Sequence, residues 1–499
     1  MAAAQVVSLR PTYQHPRAGH YLRPGGPWDG PTLDAALSAR RSDRDAVVDP
    51  AAGVRLSHSE LGDRIEQLAG GLRTAGVRRG DVVAWQAPNG YRPLLLFRAC
   101  WRLGAVAAPI HHQASTTEAE RMLAQVGPRL TLWPDDVAGE RFVQLSQGAR
   151  VRESAAEPDD IGVVLFTSGS TGEAKAALHT QRGLSYKAQT MVAAHGLTPG
   201  DATLTPAPLA HISGLLNAVL LGGVTPITAI PMARWDPERA LELVRDERVS
   251  FMIGPPTFFV SLMHASGFTT ESVATLRLVS CGGAGVTPAF VEDASERLGA
   301  RVKRTYGSTE APTVTTTTPS DSARDARETD GRAVGEVELR LSSTGELALR
   351  GPELFVGYAD AEQTSQAIDD GWFRTGDLAR IDDGWLTIVG RIKDVIIRGG
   401  ENIAAGEIEA VLEAHPSVRQ AVAVGQPDEV MGERVCAFVV ADPPFDLEAC
   451  RRWFAERGIA RFKTPERVVR LDELPLLAAG KPDRAALVRL ADDASLGRK

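Results

Sequence analysis

The chain has 499 residues, 43% hydrophobic and 24% charged, with a formal net charge of −8. Such a length accommodates several structural units with a sizeable core, and the ordinary balance excludes a disordered chain or a small disulfide-stapled scaffold. An acidic total carries none of the basic excess that nucleic acid demands, so no nucleic-acid partner is expected.

The N-terminal stretch scatters Arg10, Arg17, His20 and Arg23 among prolines and glycines and lacks the apolar run of a secretory leader, which makes the cytoplasm the expected location. His111 and His112 suggest a metal pair, but adjacent side chains are expected to diverge and no third ligand stands near them in the sequence. Cys100, Cys281, Cys436 and Cys450 are widely separated and form no CxxC or Cys/His spacing, so buried thiols are expected in place of disulfides or zinc. The longest apolar stretch, 214–230, is broken by Asn217, glycines, threonines and Pro226 and reads as buried packing; no transmembrane helix is expected. Among the 55 basic residues only Lys175, Lys187, Lys303, Lys393, Lys463, Lys481 and Lys499 are lysines. An ammonium is a compact charge with rotatable donors and a guanidinium a planar fork, so the positions that keep lysine merit inspection for chemistry, although a few survive anywhere by chance.

From 160 to 310 short β-rich runs (161–166, 251–254, 276–280, 301–306) alternate with helical patterns, the signature of an α/β sheet. Thr287-Pro288 ahead of Phe290, Val291, Ala294 and Leu298, with Gly299 behind, specifies one of those helices by its cap, its N1 proline and its stop. After the polar stretch 315–331, alternation at Val337, Leu339 and Leu341 and the turns at 342–345 and Asp383-Gly384 predict antiparallel hairpins and a barrel-like β unit. From 394 onward the order strand, helix (405–414), strand (418–424), strand (434–440), helix (447–457) predicts a compact α+β unit. The expected division is therefore 1–392, a large α/β domain of parallel-sheet subdomains plus a distorted β-barrel, and 393–499, a small mobile α+β domain.

Five segments bear chemistry. Thr167-Ser168-Gly169-Ser170-Thr171-Gly172-Glu173-Ala174-Lys175 follows a strand and offers backbone N–H groups, hydroxyls and an ammonium to phosphates. Its spacing is not that of a Walker loop, and taken alone such a run is more often a flexible loop. Tyr306-Gly307-Ser308-Thr309-Glu310, also past a strand, joins an aromatic face, a close-approach glycine, hydroxyls and a carboxylate suited to Mg²⁺. Asp377, at the end of Gly371-Trp372-Phe373-Arg374-Thr375-Gly376-Asp377, could accept both hydroxyls of a ribose, or be a turn residue. Gly390-Arg391-Ile392-Lys393-Asp394 with Arg398-Gly399-Gly400-Glu401-Asn402, and Gly480-Lys481-Pro482-Asp483, complete the set.

In this order and spacing the five segments resemble the adenylate-forming superfamily, to which acyl-CoA synthetases and peptide-synthetase adenylation domains belong, over nearly the whole chain. The resemblance implies ATP-dependent activation of a small-molecule carboxylic acid to an acyl-adenylate and transfer to CoA. It places the triphosphate on 167–175 (Thr167, Ser168, Gly169, Ser170, Thr171, Gly172 and Lys175), Tyr306 and Gly307 against adenine, Thr309 at the α-phosphate, and Glu310 with Thr171 at Mg²⁺. Asp377 and Arg391 become the ribose pair, Gly283 and Ala284 the stretch between adenine and acyl pocket, and His211 the gate between that pocket and the thiol tunnel. Lys481 becomes the cation of adenylation, Lys393 the hinge, and Arg398, Gly399 and Gly400 the loop that serves the CoA step.

Ile212 stands where amino-acid-activating relatives have an aspartate, which disfavours a free α-amino acid, whose ammonium would be buried unpaired. Ser213, Gly214, Gly283, Ala284 and Gly285 are small, so a fatty or other bulky apolar acid is favoured. Ala174, Ala176, Ala210 and Leu477 depart from the family pattern without removing a charged group. Only 18 residues follow Lys481, which favours CoA as acceptor; an acyl-AMP ligase or stand-alone adenylation enzyme loading a carrier protein is the alternative. A homodimer is compatible with all of this.

Overall fold

The computed structural model describes residues 9–39, 41–168, 174–477 and 480–492. Two largely parallel sheets form the large domain. The first runs, in order, through Arg301–Tyr306, Leu278–Gly282, Phe251–Gly254, Ala202–Thr205, Thr228–Pro231 and Asp45–Asp49, all parallel, with short antiparallel strands added at both ends. The second runs Leu130–Leu132, Val82–Gln86, Val106–Ile110, Ile161–Ser168, and closes on Ala174–Thr180, which returns antiparallel. Helices His58–Thr74, Tyr91–Arg102 and Gln181–His195 contribute Leu68, Phe97, Trp101 and Met191 to one core that also takes in Val83 and Phe251 from the two sheets. Strands covered on both faces read as continuous apolar runs, as Val82–Gln86 does.

The helix Pro288–Leu298 forms as its residues dictate. Thr287 Oγ1 accepts from the Phe290 N–H, Pro288 occupies N1, and Gly299 takes a φ of 61° where an L side chain would be strained. The strand expected at 276–280 lies two residues later, at Leu278–Gly282: the Leu276 N–H closes a turn on the Val273 carbonyl and the Thr275 hydroxyl donates to the Val249 carbonyl, so the ladder begins only after them. The stretch 214–230 is buried as expected: Leu215–Leu220 is a π-helical turn inside a short helical segment, entirely packed. Among the described residues no helix is long and apolar enough to cross a membrane.

The unit expected to be barrel-like takes the form of a five-stranded antiparallel sheet, Glu338–Leu341, Glu346–Arg350, Trp372–Asp382 and Ile368–Asp369, with Trp385–Arg391 also paired to Trp372–Asp382. Asp383 and Gly384 both take positive φ, 49° and 79°, the turn that matches the twist of a tight hairpin. The small C-terminal domain has its own sheet, Glu401–Ala404, Val395–Arg398, Gly432–Ala441 and Val418–Asp428, with Arg467–Arg470 parallel to Gly432–Ala441. Helices Ala405–Glu413 and Leu447–Glu456 pack Ile408, Leu412 and Phe454 against its Ala423, Val435 and Ala437. All four cysteines are buried and free, as expected.

Two lysines prove structural. Lys187 forms a fully buried ion pair with Glu353 at 2.9 Å, and Lys303 donates to the carbonyls of Ala194 and Thr317. Burial pulls Lys303 down to about 7.

Candidate active site

The motifs found past strands lie where parallel α/β sheets collect ligands, at the carboxyl ends of their strands. Gly282 ends one central strand, Tyr306 its neighbour, and the first motif begins at Thr167 on the second sheet. Thr167 pairs with Lys175 across the hairpin, so the two sides of the loop start from one rung of the ladder. Gly169, Ser170, Thr171, Gly172 and Glu173 lie outside the described residues.

Asp377, 3% exposed, is the hub of one cluster: its Oδ2 accepts from the Tyr306 hydroxyl at 2.6 Å, and its Oδ1 from Arg391 Nε at 2.9 Å. Burial, and next the Asp377 charge, raise the Tyr306 hydroxyl well above its usual range, so it remains a donor. The pairing of Asp377 with Arg391 depends on a bulge. From Asp382↔Trp385 to Ala379↔Ile388 the residue numbers of each pair sum to 767, and at Leu378↔Gly390 and Asp377↔Arg391 they sum to 768. One extra residue on the second strand therefore shifts the ladder and puts Arg391 opposite Asp377, where the uninterrupted register would put Gly390.

Glu310 accepts from the Tyr358 hydroxyl through Oε1 at 2.7 Å, and the Tyr358 ring lies 5.2 Å from Lys175 Nζ. Thr309 is anchored through its carbonyl, which His179 Nε2 meets at 2.8 Å. Among the described residues there is no group of three or more metal-ligating side chains. The Glu310 carboxylate is the kind of single donor that Mg²⁺ takes beside waters and substrate phosphates.

Lys481 reaches this crevice from the small domain. Leu476 bridges Pro482, the Leu477 N–H donates to the Lys481 carbonyl at 2.7 Å, and Thr257 Oγ1 donates to the Gly480 carbonyl. Gly480, at φ 77°, lies so close to the Phe258 ring that a Cβ would stand 2.7 Å from it. A Cβ on Gly283 would come within 3.1 Å of Lys481 Cε and 3.5 Å of its Nζ, so the ammonium sits directly over the glycine turn. The crevice walls, and second the Arg391 charge, lower the Lys481 pKa while Asp377 opposes them; the side chain keeps solvent access on the open side. Thr287 Oγ1 donates to Glu413 Oε2 at 3.0 Å, a further contact between the domains, and burial raises that carboxyl to about 7.

His211, at the start of the turn Ile212–Gly214, is held down to about 4, first by burial and then by His111 and Lys481. Here the structure corrects an expectation: His111 and His112 do not diverge but stack at 4.6 Å, and His211 is the third imidazole, 5.3 Å from His111. A turn after Val106–Ile110, closed by the Ala114 N–H on the His111 carbonyl, permits what a straight strand would forbid. Beside them a cavity of about 200 Å³ is walled by His112, Pro208 and Trp235 of the large domain and by Leu477 and Gly480 of the Lys481 loop. A depressed imidazole pKa means that stability contributed by His211 is present above pH 6.5 and lost as pH falls toward 4. Thioester formation is accordingly expected to show no step near pH 6.5 that vanishes in His211→Asn; such a step, seen in a pH profile of the second half-reaction, would contradict a neutral gate.

Lys393 is exposed within the single turn Ile392–Asp394, between the two domains. Arg398 makes a bidentate pair with Glu466 at 2.9 and 2.8 Å, Gly399 donates to the Met431 carbonyl, and Gly399 and Gly400 take φ of 58° and 87°. These partners all belong to the small domain, so the loop is not joined to the Asp377–Lys481 cluster in this arrangement. Sequence reasoning missed Tyr358, Thr257 and Phe258; each touches a motif through the tertiary fold, and none lies within one.

Fold and site together define an adenylate-forming enzyme. Residues 34–359 match the AMP-binding enzyme family and residues 407–481 its C-terminal domain, and the chain belongs to that family. A feruloyl-CoA synthase from Amycolatopsis is 33% identical over 86% of this chain and 92% of its own, and the medium-chain fatty-acid–CoA ligase of Escherichia coli 28% identical over 94% and 92%. The ATP-bound structure of MatB from Rhodopseudomonas palustris superposes with a TM-score of 0.82 at 28% identity, covering 93% of this chain and 99% of that one.

Proposed function

We propose that this AMP-forming acyl-CoA ligase activates a fatty or other bulky apolar carboxylic acid, using one site for both half-reactions. The observation that carries the reading is Lys481 poised over Gly283, beside Asp377 and Arg391. In the first step an acid oxygen attacks the α-phosphorus of ATP and pyrophosphate leaves. Anion repulsion must be cancelled by fixed cations and dipoles, and we assign that role to Lys481 on the α-phosphate side and to Lys175 with the 167–175 loop on the triphosphate. Glu310 would hold Mg²⁺, which when bound neutralises charge on the phosphates. Asp377 would exchange the Tyr306 hydroxyl for those of the ribose.

In the second step the CoA thiol attacks the acyl carbonyl and AMP leaves. Leu477 and Gly480 wall the cavity beside the histidines, so withdrawal of the Lys481 loop would open that space. Rotation of 393–499 about Lys393 would accomplish it and present Arg398, Gly399 and Gly400 in its place. Ile212 in place of a carboxylate, and three histidines of which two are driven to about 4, leave no anion in that stretch to pair with an ammonium-bearing acid. Four buried thiols suit the cytoplasm, the compartment we propose.

Pyrophosphate exchange across a panel of acids, followed by addition of CoA, tests the reading. Exchange with medium-chain or aromatic acids and an acyl-CoA product are expected. Turnover of acetate alone would overturn the bulky-acid assignment, and exchange without any thioester on free CoA would favour a carrier-protein acceptor.

A further inference from the structure

Residues 355–359 lie between the two motifs that face the triphosphate and touch both. On one side the Val356 N–H donates to the Leu178 carbonyl at 2.8 Å, the Leu178 N–H to the Gly357 carbonyl at 3.0 Å, and the Ala359 N–H to the Ala176 carbonyl at 2.9 Å. The segment is thus an extra rung-bearing strand on Ala174–Thr180, which carries Lys175. On the other side the Phe355 N–H donates to the Glu310 carbonyl at 2.8 Å and the Tyr358 hydroxyl to Glu310 Oε1 at 2.7 Å. Backbone and side chain of Glu310 are therefore both held by the same five residues.

The brace is itself anchored from behind. The Thr12 and Tyr13 N–H groups donate to the Val356 carbonyl, and Thr12 Oγ1 donates to the Tyr358 carbonyl at 2.7 Å. Thr364 Oγ1 accepts from the Tyr358 N–H at 2.9 Å, and the buried Lys187–Glu353 pair fixes the segment's approach. Tyr358 is 4% exposed, and its ring packs edge-on to Phe355, 4.9 Å between centroids, so neither ring nor hydroxyl can swing freely. Burial, and next the Glu310 charge, push its hydroxyl far above the usual tyrosine range, which keeps it protonated and donating.

We propose that Tyr358 is a positioning residue for the metal-bound triphosphate: its hydroxyl orients the Glu310 carboxylate while its ring supports Lys175, holding the two phosphate-facing motifs in register. With Oε1 engaged by the hydroxyl, Oε2 is the oxygen left to meet a cation. A carboxylate that must otherwise be ordered by the incoming cation binds it less well, and partners behind a metal ligand typically carry 10- to 100-fold in metal affinity. The Lys175 ammonium gains a cation–π contact that fixes a flexible four-carbon stem before phosphate arrives. The inference rests on the assignment of Glu310 to Mg²⁺.

Tyr358→Phe removes the hydroxyl and keeps the ring. It is expected to raise the Mg²⁺ concentration for half-maximal pyrophosphate exchange about tenfold, and to weaken calorimetric binding of a non-hydrolysable ATP analogue in Mg²⁺ to a similar degree. Affinity for AMP, which lacks the outer phosphates, and KM for the acid stay unchanged. Thr12→Val, which removes the hydroxyl bond to the Tyr358 carbonyl, loosens the brace from behind and is expected to shift the Mg²⁺ requirement in the same direction by a smaller factor. A lower Tm with unaltered Mg²⁺ dependence in both variants would make Tyr358 merely structural and overturn the proposal. Glu310→Gln separates the two readings: if it shifts the Mg²⁺ requirement and Tyr358→Phe does not, the role of Tyr358 alone falls, whereas if neither does, the metal assignment of Glu310 falls as well.

Discussion

Lys481→Ala is expected to lower pyrophosphate exchange on the order of a hundred- to a thousandfold while leaving conversion of a supplied acyl-adenylate to thioester nearly intact. The size follows from losing one preorganised charge-assisted contact at the point where transition-state charge develops, roughly 3 to 4 kcal/mol. The asymmetry follows from geometry. Lys481 is carried by a short turn docked on Thr257 and Phe258, and that same turn walls the cavity beside His112. On the proposed assignment its cation is needed before pyrophosphate leaves and is an obstruction afterward. Single-turnover measurements of the two steps decide the matter, and equal loss of both would contradict the assignment.

Lys393→Pro should do the converse, sparing exchange within a few-fold and lowering thioester formation on the order of a hundredfold or more, the loss that misplacement of a reacting group brings. Lys393 lies in a single turn, exposed, with no buried side-chain packing to lose. The proline ring locks φ near −65° and restricts Ile392 as well, which removes the backbone freedom a hinge must use. Asp394, 3.7 Å from Arg484 Nε, and the Arg484–Glu409 pair tie the turn to the small domain, so rotation about this point would carry the Lys481 loop with it. If Lys393→Pro forms thioester from supplied adenylate at the unmodified rate, the hinge is elsewhere.

Much of this site is legible in the residues themselves, because local chemistry is written locally. A capped helix at Thr287 and an Asp-Gly turn at 383–384 each follow from backbone preferences that act over a few residues. Other positions resist such reading. His111 and His112 looked like a pair that must diverge, and the folded loop stacks them; the strand at Leu278–Gly282 starts two residues later than its apolar pattern indicates, since the Leu276 N–H is taken by a turn to the Val273 carbonyl.

By itself the sequence determined which groups are available: a lysine between Gly480 and Pro482, a carboxylate at Glu310, an aspartate at 377 and a glycine turn at 282–283. Only the tertiary structure decided their partners. Gly283 and Lys481 stand 198 residues apart, Glu310 and Tyr358 48 apart, and they meet because separate sheets and a separate domain close on one crevice. Asp377 and Arg391 are neighbours in one hairpin, yet a single bulged residue determines whether arginine or glycine faces the aspartate. Periodicity and turn chemistry set the direction of a strand, but register and domain docking are fixed by packing over the whole chain, a sum of contacts that no local window contains.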